Sequence, residues 1–151
     1  KNVGNHAAHN PAAYILASGV WFDVYEMYMN RVNAIDVLKL HSDFNKENSF
    51  LYAIKESNIV DYNLFQEIMD SLIVLSKDTI EKEQIKIVYS IVFWCRSWLD
   101  AGWIEKQLGS AAKETLRVYT EIIENALYYL LENNAEEAFW AYNEFLDGRY
   151  N

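Results

Sequence analysis

Thr79–Leu99, TIEKEQIKIVYSIVFWCRSWL, decides how the rest of the chain is read. Ile85, Val88, Ile91, Val92 and Leu99 recur at helical spacing, and Val88–Cys95 is apolar almost without interruption. Asp78 and Thr79 stand as caps before it, with Glu81 and Glu83 in the first turn, where acids suit the positive end of the helix dipole. A helix that is apolar all round belongs in the middle of a bundle. The stretch therefore predicts a central helix, reaching toward Leu108 with a break near Gly102.

Upstream, Asp61 is placed to cap a helix through Ser76, on which Leu64, Phe65, Ile68, Leu72 and Leu75 keep the helical period. A brief helix is expected over Ser49–Glu56, preceded by a polar connector from His41 to Asn48. Asn33–Leu40 reads as a short helix or a continuation of the one before it. That earlier helix is expected from Pro11 to about Val32, since Asn10 accepts from free amide donors and proline loses nothing at the first helical position. Its few polar residues, Asp23, Glu26 and Asn30, share one narrow face, so most of it should be buried. Residues 1–10 read as a loose lead-in and 11–151 as a single helical domain.

Downstream, Gly109-Ser110 ends one helix and begins another, which runs to about Glu132. Asn133-Asn134 makes a tight turn, and Ala135–Asp147 forms a last helix closed by Gly148. One proline and five glycines in 151 residues leave few breakers. Hydrophobic residues make up 52% of the chain and charged residues 23%, a globular balance with volume for a core. The expected architecture is all-α, an irregular bundle of about six or seven helices.

The formal net charge is −9, and Val118–Asn151 carries seven acids against Arg149 alone, or −6 of that total. Such a field repels phosphate backbones and anionic lipid and favours a basic partner, so nucleic acid is not expected as a ligand. No apolar run approaches the roughly 20 residues that span a bilayer, so no membrane partner is expected. The single cysteine, Cys95, excludes an intrachain disulfide and a cysteine-based zinc cluster, which suits a reducing, cytoplasmic setting. The chain begins at Lys1 rather than Met, which leaves a removed leader open.

Four constellations could carry chemistry. His6 and His9 have the spacing of two metal ligands on one helical turn, but the only further histidine is His41, and a plain terminal segment is the simpler reading. Glu121-Ile-Ile-Glu124 followed by Glu144-Phe-Leu-Asp147 resembles the ExxE…ExxD arrangement of all-α nucleoside triphosphate pyrophosphatases. That resemblance implies a metal-dependent nucleotide pyrophosphatase in which these four carboxylates hold Mg²⁺. Helix phase, however, puts Tyr119, Ile123, Ala126, Leu127 and Leu130 inward and turns Glu121 and Glu124 to solvent. The same C-terminal pair of helices resembles one tetratricopeptide repeat, with Tyr129, Ala138 and Tyr142 at compatible spacings and no second copy before it.

The last constellation is charge within apolar helices: Asp23 after Val20-Trp21-Phe22, and Arg96 inside Phe93–Trp98. Buried charge is costly unless paired. Asp23 and Glu26 could meet Arg96 in an aromatic pocket lined by Trp94, Trp98 and Trp103. Alternatively, Arg96 lies on a partly exposed face and pairs with Asp100 at i+4, which is the simpler account. Cys95 sits in an apolar run that keeps a thiol protonated. No G-x-S-x-G elbow, Walker A loop or dinucleotide fingerprint is present, so no catalytic residue and no cofactor is expected. The favoured reading is a protein-binding module of the immunity-protein or secretion-chaperone type, inhibiting or escorting a basic partner through Glu132, Glu136, Glu137, Glu144 and Asp147.

Overall fold

Short polar residues set the helix boundaries. The computed structural model describes residues 20–150, with the side chains of residues 28 and 30–150. The lead-in, His6 and His9, the helix start at Pro11 and the carboxylates of Asp23 and Glu26 lie outside what is described. The helices are α1 (Val20–His41), α2 (Phe50–Ser57), α3 (Tyr62–Leu75), α4 (Lys82–Asp100), α5 (Trp103–Leu108), α6 (Ser110–Leu131), α7 (Ala135–Ala138) and α8 (Trp140–Leu146). Asn33–Leu40 is thus a continuation of α1. The expected last helix is one element broken at Phe139, so that seven helices, the final one in two pieces, make an all-α bundle with no strand among the described residues.

The caps explain where the helices start. Ser49 Oγ accepts from the Tyr52 amide at 2.9 Å, and Asp61 Oδ1 from the Leu64 amide at 3.0 Å. The start of α4 differs from expectation. Its N-cap is Glu81, whose amide donates to Gln84 Oε1 at 3.0 Å, while Asp78 only closes a local turn on the Thr79 amide at 2.7 Å. A glutamine three residues into the helix reaches back where Thr79 cannot. Gly102 and Gly109 take positive φ (75° and 96°) to turn the chain through α5 into α6, a conformation that costs glycine little.

α1 packs chiefly on α3, and α4 on α6, with α1–α4 and α3–α6 contacts closing the bundle. One continuous core results: Phe65, Ile68, Met69, Leu72 and Leu75 of α3, Val88, Ile91 and Cys95 of α4, and Leu116, Ile122, Ile123 and Ala126 of α6 are all fully buried. The expectation that α4 is enclosed on every side is corrected here. Tyr89 and Phe93 are 57% and 48% exposed, with their rings 6.4 Å apart. Among the described residues, a helix flanked mainly by α6 and α1 has no neighbour for that face, however apolar its sequence.

Two polar knots tie the layers together. His41 is not part of a polar connector but a fully buried residue at the end of α1. Its Nδ1 accepts from the Phe50 amide at 3.0 Å and its Nε2 lies 2.9 Å from Glu67 Oε2, so one ring joins α1, α2 and α3. Arg31 of α1 reaches across to Thr79 O at 3.0 Å and to Gln84 Oε1 at 3.2 Å. It thereby fastens the α3–α4 connection and holds the glutamine that closes the α4 start.

Candidate functional site

The C-terminal hairpin is built by α6, the turn at Asn133-Asn134, and α7–α8. Asn133 takes the left-handed conformation (φ 55°), and Asn134 Oδ1 accepts from the Glu137 amide at 3.2 Å, starting α7. An aromatic cluster fixes α8 against the bundle. Phe65 of α3 stacks on Tyr119 of α6 with centroids 4.0 Å apart, and the rings of Tyr142 and Phe145 meet Phe65 edge-on at 5.9 and 5.8 Å. The hairpin is therefore fastened to α3 through Phe65 and leaves its outer face to solvent.

Five acids on this hairpin are the expected partner-binding residues, and the structure divides them. Glu132, Glu136 and Glu137 are exposed, with no lysine, arginine or histidine in ion-pair contact among the described residues. Glu144 and Asp147 are both engaged by Arg149: its Nε and Nη2 lie 3.0 and 2.8 Å from the two Glu144 carboxylate oxygens, and Nη2 also lies 2.8 Å from Asp147 Oδ2. The Arg149 guanidinium holds the Glu144 carboxyl below its usual range. Alongside the three unpaired acids the hairpin exposes large apolar side chains, with Trp140 at 58%, Tyr128 at 59% and Leu131 at 47%. Sequence reading missed these three residues. The signal was present, because a phase that turns Ile123, Leu127 and Leu130 inward leaves Tyr128 and Leu131 outside.

The carboxylates of the ExxE…ExxD pattern are all paired with arginines, Glu144 and Asp147 sharing Arg149. Glu121 Oε1 takes Arg117 Nη1 at 2.6 Å and its other oxygen accepts from Tyr150 Oη at 3.3 Å, while Glu124 pairs with Arg96 across α4 and α6. Among the described residues no three His, Cys, Asp or Glu side chains come together to hold a metal.

The aromatic pocket is assembled in part. Trp94, Trp98 and Trp103 form a chain of ring contacts, Trp94 to Trp98 at 6.0 Å and Trp98 to Trp103 at 5.7 Å. Trp98 and Trp103 line an open cleft of about 450 Å³ with Lys55, Asn58 and Gln107, between the end of α2 and the α4–α5 corner. Arg96 belongs neither to this cleft nor to Asp100, because it faces α6 and meets Glu124 there. An arginine four residues before an acid is also the poorer order for a helical pair. Cys95, beside it in sequence, is fully buried, and burial pushes its thiol up to about 12.

No helix among the described residues is long and apolar enough to cross a membrane. No family model, curated protein or solved structure matches the chain.

Proposed function

We propose that the chain is a protein-binding module whose C-terminal hairpin docks a basic partner protein, in the manner of an immunity protein or a secretion chaperone. The observation that carries this reading is the coincidence, on one hairpin, of three carboxylates without an ion-pair partner among the described residues and exposed Trp140, Tyr128 and Leu131. Binding interfaces concentrate their energy in a few buried aromatic anchors, while the charged rim sets association rate and partner choice. Trp140 is the anchor and Glu132, Glu136 and Glu137 form the rim. Glu144 and Asp147 contribute less, since Arg149 already answers their charge. A cytoplasmic setting goes with this reading, as a single cysteine leaves no intrachain disulfide.

The test is kinetic. The partner that co-purifies from the native source is measured against wild type, Trp140→Ala and the triple reversal Glu132→Lys, Glu136→Lys, Glu137→Lys. Expected are association slowed at least tenfold with a flattened salt dependence in the reversal, and faster dissociation in Trp140→Ala. Association that is unchanged in the triple reversal, or a partner without basic character, overturns the reading.

A further inference from the structure

We propose that the open face of α4 binds the same face of a second copy of this chain, the two helices lying antiparallel about a twofold axis. Lys82, Lys86, Tyr89, Phe93 and Asp100 make up the exposed line of this 19-residue helix, with Glu83 off to its side. Lys82 and Asp100 are the first and last residues, about five full turns apart and so in line on one face. Tyr89 and Phe93 stand about one turn apart between them, with ring centroids 6.4 Å from each other. Both pairs are centred on Ile91. Turning a second copy about that centre lays Tyr89 against the partner's Phe93, and Phe93 against the partner's Tyr89. The same rotation lays Lys82 on the partner's Asp100, once at each end of the seam. This is the self-complementarity that a twofold interface requires.

The charges argue for this occupant. A lysine at the first position and an aspartate at the last oppose the dipole of their own helix, which favours acids at its start and bases at its end. In the antiparallel pair each charge meets a dipole end of the right sign, because Asp100 comes to the start of the partner's α4 and Lys82 to its end. Among the described residues, neither of them, nor Lys86, has an ion-pair contact within the chain. Arg96, level with the partner's Lys86, is already answered by Glu124. A pair of 19-residue helices, each about 28 Å long, covers less than the roughly 1,200 Å² at which standard interfaces begin. The dimer is therefore weak and reversible. It uses α4, whereas the docking hairpin is made by α6–α8, so the two proposals stand or fall separately.

The experiment is sedimentation equilibrium of the full chain from about 1 µM to about 1 mM. The expected result is a weight-average mass that climbs with concentration from monomer toward dimer. Lys82→Glu and Asp100→Lys should each weaken the dimer about tenfold, because one reversal sets like charges against each other at both ends of the seam. The double variant Lys82→Glu/Asp100→Lys should restore the wild-type affinity. Each single reversal suits the dipole of its own helix, so the fold is kept, and a melting temperature at or above that of wild type certifies it. Phe93→Ser should abolish the dimer, while Trp140→Ala on the hairpin should leave it unchanged. Monomer at every concentration overturns the proposal. So does a dimer indifferent to the single reversals, or a double variant that stays as weak as the singles. A dimer that survives Phe93→Ser, or is lost in Trp140→Ala, equally overturns it.

Discussion

At the scale of the residue, His41 and Cys95 show how burial sets chemical behaviour. His41 Nδ1 accepts a backbone N–H, so the ring proton resides on Nε2 and is donated to Glu67. A second proton at Nδ1 would face the Phe50 N–H, donor against donor. Burial lowers the His41 pKa from its ordinary value of 6.5, and Glu67 offsets this only in part. The unfolded chain therefore binds the proton more readily than the folded one. The histidine's contribution to stability is complete above about pH 6.5 and is lost as the pH falls from there through the lower folded value. Urea denaturation across pH 5–8 should show this loss in wild type but not in His41→Ala, which also orphans the Phe50 amide at a cost of about 1–3 kcal/mol. Parallel pH profiles for the two proteins would contradict it. Cys95, held protonated and enclosed, should stay unmodified by a thiol reagent in the native protein and react fully in denaturant. Rapid native labelling would show that the α4–α6 seam opens.

Between elements, the joint of α3, α6 and α8 matters most, because it sets where the hairpin stands. Phe65 is fully buried and is the ring on which Tyr119, Tyr142 and Phe145 converge. Phe65→Ala should cost about 3–5 kcal/mol, measured as a shift in the denaturation midpoint. Phe65→Leu should recover part of it, since volume returns without the stacking. A loss under 1 kcal/mol in Phe65→Ala would mean that the cluster is not the joint. The same scale explains α4. Its sequence is apolar around the whole circumference, but burial is set by neighbours, and Tyr89 and Phe93 face a side that no described helix covers.

Over the whole molecule, the uneven charge leaves the proposed docking acids outside the contacts that hold the fold. Glu132, Glu136 and Glu137 are exposed and unpaired among the described residues, so reversing all three should change stability by no more than about 0.5 kcal/mol per site. A thermal melt of the triple variant checks this, and a large loss would transfer these residues from a docking role to a structural one. Helix existence, most boundaries and the bundle class were legible in the sequence, because capping and turn chemistry is local. Ser49, Asp61, Asn134 and the paired glycines act on amides within a few residues of themselves. The five hairpin acids were legible as a charge excess, but not their division into three free and two held by Arg149. The partner of Arg96, the burial of His41, the open face of α4 and the cleft at Trp98 and Trp103 were decided by tertiary structure alone. Each depends on which helix lies across the gap, and that geometry comes from packing between residues far apart in the chain.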